Sequence, residues 1–475
     1  MKRFALLPPL IALSACMVGP DYKKPADLTA PDATLRESGV TGVTPSPLPS
    51  KWWRLFDDAN VDRLVEQALA NNTDLRVAAA NLQRARAALS EARAGRLPTG
   101  TADAQYSYQR TPGTQSPTGQ SITTDFFTLG YDASYEVDLF GGVSRSIQAA
   151  RADTAAAQAQ VDAARVSVAA ETARAYASTC SYAAQADVAR ETIRLQTNTL
   201  KLTQTLFDAG RGSRRDVDQA AVLVEQANAQ LPTLEAERRA SLYALAVLTG
   251  KPPAELDAAA AACIRAPEVA QPLPVGDGQA LLARRPDVRA AERTLAADVA
   301  RVGVATADLY PSIRLLGSIN LVGNSVGDLG KPKSFGFSLG PLISWNFPFN
   351  GAARARVRQA EATATGSLAK FDGTVLAALQ ETEQALARLG GAIEREEALK
   401  RAVAKSDDAA KISRIRFDAG ADSFLQLLDA ERDRAANRSA LAQAAAARVD
   451  AQISVFKALG GGWEDAPPIV EKKAT

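Results

Sequence analysis

The 475-residue sequence contains no histidine, three cysteines and two methionines. Histidine is the side chain that titrates near pH 7 and the commonest zinc ligand. Its absence excludes Ser-His-Asp hydrolases, HExxH metalloproteases and most zinc hydrolases. Few methionines and no histidine also leave few soft ligands for copper or silver. The sequence has no P-loop, glycine-rich nucleotide fingerprint or cysteine cluster, so it predicts no metal, no cofactor and no enzymatic activity.

Excess charge of either sign is also missing, with 55 Lys+Arg against 53 Asp+Glu. Removal of Lys2 and Arg3 with a signal peptide would leave a neutral chain. A neutral chain has no basic surplus for phosphates, so nucleic acid is not an expected partner. Aromatic residues make up only 6% of the sequence, and much of its apolar content is alanine. This composition favours long, closely packed helices over a pocket rich in aromatic side chains.

Residues 1–15 are predicted to be a lipoprotein signal peptide. A basic start, the apolar run 4–13 and small residues before Cys16 are typical of secretory signals. The apolar run is too short to span a bilayer, and the sequence Leu-Ser-Ala-Cys that ends at Cys16 fits a lipobox. Acylation of Cys16 would give a durable anchor. Cys180 and Cys263 would then lie in an oxidising compartment, where a disulfide between them is allowed but not required.

The sequence contains an internal duplication. LFDAG at 206–210 recurs as RFDAG at 416–420, with an offset of 210 residues. Nearer the N-terminus the offset is 213, and Asp74 matches Asp287. Two copies of a unit of about 200 residues therefore form nearly the whole mature chain. Each copy is expected to contain a helix, two strands, a very long helix, a glycine turn and a final helix.

The very long helices constrain the architecture. No glycine or proline occurs between Val143 and Ala209, which predicts roughly 100 Å of continuous helix. A helix of that length must pack against other long helices. The second copy has no proline between Phe349 and Ala466. Its long helix contains glycines at which we expect kinks or close helix contacts, namely Gly366, Gly373, Gly390 and Gly391.

Four segments alternate between apolar and polar residues and are predicted strands, at about 101–111, 124–138, 312–322 and 334–347. A half-buried soluble sheet has the same period of two. The lengths, however, match the ~9–11 residues of a membrane-spanning strand, and Tyr and Trp near the strand ends suit aromatic girdles. Because four strands cannot close a barrel and lipid tolerates no open edge, we expect several protomers to share one barrel. Asp132, Glu136 and Asp138 are predicted to face its aqueous lumen.

Four motifs resemble the outer-membrane efflux lipoproteins of the OprM/NodT type, relatives of TolC. They are CMVGPDYKKP from Cys16, WRLFDD from Trp53, RRPDVRAAE from Arg284 and LLDA from Leu427. The resemblance implies an α+β membrane protein that is a homotrimer. Each protomer would give four strands to a 12-stranded outer-membrane β-barrel, continuous with a long α-helical periplasmic barrel.

The duplication and the resemblance together predict six segments. They are a signal peptide (1–15), a lipid-anchored extended and equatorial segment (16–60), repeat 1 (61–250), an equatorial linker (251–285), repeat 2 (286–459) and a C-terminal equatorial tail (460–475).

Two glycine turns are predicted to join long helices into hairpins. Gly210 and Gly420 fit helix C-caps, and Ser213 with Asp216 fits a capping box. Ser423 with Gln426 fits a second capping box. The resemblance implies that these hairpins form the periplasmic tip, which meets an adaptor protein and closes the pore.

Leu425 and Asp429 lie four residues apart, hence on one face of the last helix. The resemblance implies that they are the gate, with an apolar ring and an acidic ring in the trimer. A family acidic position in this turn is Gln426 here, which would weaken the acidic ring. An ordinary solvated carboxylate near a helix start remains the alternative interpretation of Asp429.

The resemblance implies a passive outer-membrane duct of a tripartite efflux system, carrying drugs and other small toxic compounds. Its partners would be a periplasmic adaptor (membrane fusion) protein, an inner-membrane RND-type pump and outer-membrane lipid. Two alternatives stay open: a type I secretion channel, and a periplasmic coiled-coil structural lipoprotein without a pore.

Overall fold

The computed structural model describes residues 17–25, 35–117, 119–276, 278–345, 347 and 351–470. Its α-helices in chain order are α1 (Ala59–Asn71), α2 (Thr73–Ala94), α3 (Gly142–Asp208), α4 (Arg214–Leu248), α5 (Ala258–Ala261), α6 (Gly278–Arg284), α7 (Pro286–Ala307), α8 (Ala352–Asp418) and α9 (Phe424–Ala458). Its strands are β1 (Val43–Thr44), β2 (Thr99–Thr111), β3 (Ile122–Val137), β4 (Leu273–Pro274), β5 (Ser312–Gly323) and β6 (Phe335–Ser344). No helix within these ranges combines the length and the apolar character needed to cross a membrane.

Helix lengths confirm the predicted duplication. The first helix of each copy, α2 or α7, has 22 residues. The long helices α3 and α8 have 67 residues each, and α4 and α9 have 35 residues each. Two strands stand between the first helix and the long helix in both copies. The two halves of the sequence therefore encode the same series of elements.

The glycines of α8 leave the helix continuous. At Gly366, Gly373 and Gly391 a Cβ would meet no neighbour within 4 Å. At Gly390 a Cβ would lie 2.6 Å from Cγ1 of Val40, far inside van der Waals contact. Gly390 therefore marks a close approach of a non-helical segment to α8, and not the close contact between helices that we expected.

The described chain forms two compact units. The first comprises residues 17–25, 82–157 and 290–371, and the second comprises residues 35–81, 158–289 and 372–470. Each unit combines segments from both copies of the repeat. The copies are therefore not independent structural bodies, because each unit is built jointly by the two.

A four-stranded antiparallel sheet lies in the first unit, with the order β2-β3-β5-β6. Its central pair joins the two copies, since β3 belongs to the first copy and β5 to the second. The register places Gly100 opposite Ala133, Ala133 opposite Gly317, and Gly317 opposite Leu339. In the second unit β1 and β4 form a short parallel pair.

The core of the second unit is organised around Trp52. Its ring is fully buried and stacks on Phe456 near the end of α9, with the centroids 4.7 Å apart. Its indole N–H donates to the carbonyl of Gly461 (3.2 Å). Gly462 has a φ of +101°, and a Cβ there would lie 2.9 Å from the indole nitrogen. The glycines that follow α9 thus let the chain pass against the nitrogen-bearing edge of Trp52.

The RRPDVRAAE motif also has a structural role in this unit. Arg285 is buried and donates to the carbonyl of Ala458 at the end of α9 (2.8 Å). The same guanidinium contacts Asp287 (2.6 Å) and Glu381 (2.8 Å). Arg285 therefore joins three helices, because it satisfies a C-terminal carbonyl of α9 while pairing with the start of α7 and the middle of α8.

Trp52→Ala should lower the free energy of unfolding by about 3–5 kcal/mol, because a large buried ring and its packing are lost. Urea unfolding followed by far-UV circular dichroism measures the change. Tyr243→Ala is the control, since Tyr243 is 45% exposed on α4 and its truncation should cost less than about 1 kcal/mol. Equal effects of the two substitutions would contradict the assignment of Trp52 as the centre of this core.

Candidate functional site

The sheet of the first unit has one continuous apolar face. Residues paired across an antiparallel ladder point to the same side, so the register aligns large side chains over all four strands. This face comprises Tyr106, Phe127, Leu129, Tyr131, Tyr135, Leu315, Ile319, Leu321, Phe335, Phe337, Leu339 and Ile343. Leu339 is 83% exposed and Phe337 75% exposed in the protomer. The polar side chains that the register puts on this face, Arg110, Thr123 and Asp125, lie beyond the apolar run, at one end of β2 and β3. An uninterrupted apolar run that is bordered by polar residues is typical of a lipid-facing wall.

The opposite face of the sheet is mainly polar, although five large apolar side chains also lie on it, namely Ile122, Phe126, Leu316, Val322 and Leu342. Asp132 lies opposite Thr101 and Ser318. The hydroxyls of Ser318 and Ser338 are 2.8 Å apart. Glu136 is paired with Arg314, with 3.5 Å between Oε2 and Nη2. Two of the three predicted lumenal acids, Asp132 and Glu136, are therefore on this polar face.

The third of these predictions, that Asp138 faces the lumen from the strand, was wrong. β3 ends at Val137, and the Asp138 carboxylate accepts hydrogen bonds from the backbone N–H of Val143 (2.9 Å) and Ser144 (2.8 Å). It also accepts one from the Ser144 hydroxyl (2.6 Å). The first N–H groups of a helix have no partner within the helix, and a carboxylate there also interacts favourably with the helix dipole. Asp138 thus stabilises the start of α3 and does not belong to the strand.

Both glycine turns adopt the predicted hairpin geometry. Gly210 and Gly420 have φ values of +69° and +75°, a left-handed conformation that glycine adopts without strain. After α3 the N–H of Arg211 donates to the carbonyl of Leu206 (2.8 Å), and after α8 that of Ala421 donates to the carbonyl of Arg416 (2.8 Å). These are the long hydrogen bonds of Schellman C-caps.

The helices that follow begin with the predicted capping boxes. The Ser213 side chain accepts from the N–H of Asp216, whose carboxylate accepts in return from the N–H of Ser213. Ser423 and Gln426 make the equivalent reciprocal pair. The two hairpins therefore have fixed turns with satisfied backbone groups.

Leu425 and Asp429 lie together on the open face of α9. Leu425 is 53% exposed, whereas Leu427 is fully buried. The Asp429 carboxylate is also about half exposed, and its Oδ1 lies 3.2 Å from Nη2 of Arg432. Sequence reasoning missed this cation, although the i,i+3 spacing of Asp429 and Arg432 signals such a pair.

The opposite face of α9 carries a buried charged group. Glu431 is 6% exposed, and burial raises the pKa of its carboxyl group despite the neighbouring Arg434, with which it forms an ion pair. Two turns after Glu431, Arg438 makes two hydrogen bonds to Asp407 of α8 (2.9 and 3.0 Å). The packing of α9 against α8 near the hairpin is thus partly ionic, and the sequence analysis did not identify it.

Cys180 and Cys263 form a disulfide that links α3 to the segment after α5, with their Cα atoms 5.1 Å apart. Cys16 lies outside the described residues. Within the described ranges no group of histidine, cysteine or acidic side chains is arranged to hold a metal ion.

Comparison with known proteins gives a consistent result. The outer membrane efflux protein family matches residues 64–251 and 278–461, once for each copy of the repeat. Outer membrane protein OprJ of Pseudomonas aeruginosa is 31% identical over 97% of this chain and 96% of its own length. Nodulation protein T of Rhizobium leguminosarum bv. trifolii is 31% identical over 95% of this chain and 96% of its own. The solved structure of the outer-membrane channel OprN matches with a TM-score of 0.89 at 36% identity, over 94% of this chain and 100% of that chain.

The fold is that of a trimeric outer-membrane channel, in which each protomer contributes four strands to a 12-stranded barrel and extends into the periplasm. The chain belongs to the outer membrane efflux protein family. This is a family of channel and transport proteins. The protein is the outer-membrane component of a tripartite efflux system, together with a periplasmic adaptor and an inner-membrane RND-type pump. The predicted family, fold class and localisation are confirmed.

Adjacent residues of β6 provide a direct test of the two faces of the sheet. Leu339→Lys would put a charge on the apolar face near the middle of the strand, at a cost of roughly 2–4 kcal/mol in a bilayer. Ser338→Lys would put the same charge on the polar face, where water can solvate it. We expect the first variant to yield much less folded trimer in isolated outer membranes than the second, as measured by semi-native gel electrophoresis. Equal yields would show that the apolar face does not contact lipid.

Proposed function

We propose that this protein is a passive exit duct that is closed, in the resting trimer, by Leu425 and Asp429 at the start of α9. The observation that carries the proposal is the exposure of both side chains on one face of that helix. An apolar side chain that remains half exposed beside a buried leucine is available to meet its own copies around the threefold axis. Three Leu425 side chains would form a narrow apolar ring, which can stop ion flow by excluding water.

The polar face of the sheet lines the duct in this proposal. Asp132 and Glu136 keep the wall hydrated, so that the wall itself makes few selective contacts with cargo. The inner-membrane pump then determines which compounds enter. Drugs and other small toxic compounds are the proposed cargo, in line with relatives named as toluene and antibiotic efflux proteins of Pseudomonas putida. The chain itself catalyses no reaction and supplies no energy.

The two hairpins are the proposed contact for the adaptor. Gly210, Ser213 and Asp216 fix the first turn, and Gly420 with Ser423 fixes the second. If the adaptor displaces the tip, rigid turns would pass this displacement to the attached helices and so to the gate, because the turns themselves do not deform. The Asp216 carboxylate accepts a hydrogen bond from the N–H of Ser213 in the capping box, so its proposed role is to shape the tip.

Arg432 changes the charge that is expected at the gate. Its guanidinium pairs with Asp429, so the trimer would bring three carboxylates and three guanidinium groups to the same level. An exposed pair of this kind contributes at most about 1 kcal/mol to stability, but it cancels the net charge. Gln426 adds no charge, and its side chain is used in the capping box with Ser423. The gate is therefore apolar and nearly neutral.

Replacement of both gate side chains should open the duct. Leu425→Ala with Asp429→Ala removes the apolar ring and the carboxylates, and we expect a several-fold rise in conductance in planar bilayers. The matched control is Arg215→Ala with Gln219→Ala, which changes the equivalent positions of the first copy and should leave conductance unchanged. Unchanged conductance of the gate variant in a correctly inserted trimer would reject the two positions as the gate.

Loss of the compensating cation should make the gate sensitive to divalent ions. Arg432→Ala leaves three unpaired carboxylates, whose attraction for Mg²⁺ is strong at low ionic strength and screened at high salt. We expect current block by Mg²⁺ at about one tenth of the concentration that the parent channel requires. Asp429→Asn with Arg432→Ala is the control and should return block to the parent level. If Arg432→Ala gave the parent response, the proposed charge compensation would be wrong.

A further inference from the structure

The segment that follows the predicted lipid-bearing cysteine is docked on the first unit. We call residues 17–22 the N-terminal strap. The N–H of Val18 donates to the carbonyl of Phe140, between β3 and α3 (3.2 Å). A Cβ on Gly141, which has a φ of +79°, would lie 3.0 Å from Cα of Met17. The strap therefore begins directly against the junction where the barrel strand meets the long helix.

Arg145 of α3 holds the strap through its whole guanidinium group. Nε donates to the carbonyl of Val18 (3.1 Å), and Nη2 donates to the carbonyl of Gly19 (3.1 Å). Nη1 lies 2.9 Å from Oδ1 of Asp21 and donates to Gln148 (3.0 Å). Arg145 is only 2% exposed. A buried guanidinium is costly unless its donors are paired, so the strap carbonyls and Asp21 are its essential partners.

Two glycines make the close approach of the strap possible. Gly19 has a φ of +85°, and a Cβ there would lie 2.5 Å from Cα of Gly303 in α7. A Cβ on Gly303 would in turn lie 2.7 Å from Cδ of Arg145. Strap, α7 and the Arg145 side chain are therefore in mutual contact, and no larger residue fits at either glycine without displacement.

A second attachment lies further along the strap. The Tyr22 hydroxyl donates to Oε1 of Glu292 in α7 (2.6 Å), and this carboxylate is buried and also paired with Arg293. Burial, together with the bond to Glu292, raises the pKa of Tyr22 well above its usual range. The strap thus binds α3 of the first copy through Arg145 and α7 of the second copy through Tyr22.

We infer that the strap is an internal staple between the two copies and that Arg145 is its positioning residue. Arg145 holds Val18 and Gly19, two and three residues after the predicted acylation position, beside the end of the barrel strand β3. The residues that follow the lipid anchor are therefore fixed on the protein and do not form a flexible linker. Protein contacts fix the place at which the acyl chains enter the membrane, and those contacts are independent of the acyl chains themselves.

Trypsin cleavage between Lys23 and Lys24 reports release of the strap, because both lysines are exposed and Pro25 protects the next bond. Purified trimer in detergent is treated with trypsin, and the new amino group at Lys24 is labelled after quenching and quantified by mass spectrometry. A protease binds several residues on each side of the bond that it cuts, and here these include strap residues that are held against the first unit. Cleavage therefore needs local release of the strap, and its rate follows the population of the released state. Thermal unfolding and trimer content are measured on the same samples.

We expect Arg145→Ala to raise the cleavage rate at least about tenfold with the trimer retained, and Tyr22→Phe to raise it less. Arg151→Ala, an exposed arginine on the same helix, should match the parent protein. Cys16→Ser should also match it, because the protein contacts remain.

Parent-level cleavage of an Arg145→Ala trimer would overturn the proposal. Fast cleavage of Cys16→Ser would also overturn it, since the lipid and not Arg145 would then hold the segment. If Arg145→Ala forms no trimer, Tyr22→Phe decides the question. A faster rate with an unchanged unfolding temperature supports the staple, and the parent rate rejects it.

Discussion

Backbone hydrogen bonding inside lipid is the constraint on which the rest of this structure depends. In a bilayer every strand N–H and C=O needs a protein partner, so an open sheet edge is not tolerated. The protomer has only four strands in its main sheet, and the outer edges of β2 and β6 have no neighbour within the described chain. Trimerisation is therefore a condition for the sheet to exist in the membrane, and the duplication supplies two strands per copy toward a closed barrel.

Away from the membrane the second unit combines two kinds of packing. Around Trp52 and Arg285 the contacts are deeply buried, with stacked aromatic rings and helix ends closed by side chains. Near the hairpins α9 packs through Glu431, Arg434 and Arg438, which are buried or partly buried ionic groups. Removing one partner of a buried ion pair is strongly destabilising, because the other charge is left buried without compensation. The second unit is therefore held by an aromatic core around Trp52 and, nearer the hairpins, by ionic contacts of α9.

Beyond the family, the duplication and the fold class, the individual elements that the sequence predicted correctly are local ones. Alternation of residue types, glycine turns and S-x-x-D/Q spacing gave the strands and both capping boxes, because each depends on neighbours within a few residues. Asp138 was misplaced because alternation does not show where a strand stops and a helix start needs a cap. The pair Asp429–Arg432 was detectable from its spacing. The contact of Arg145 with Val18 could not be predicted from the sequence, because 127 residues separate the two and no local sequence pattern indicates that they meet.

Cross-linking of the two outer strands tests the closure of the barrel most directly. Within one sheet β2 and β6 are three strand spacings apart, about 14 Å, which is too far for a disulfide. One cysteine on β2 combined in turn with single cysteines along β6 should give, at one register, a covalent trimer on a non-reducing gel. Membrane-inserted protein that forms no inter-chain link at any register along β6 would contradict the shared barrel.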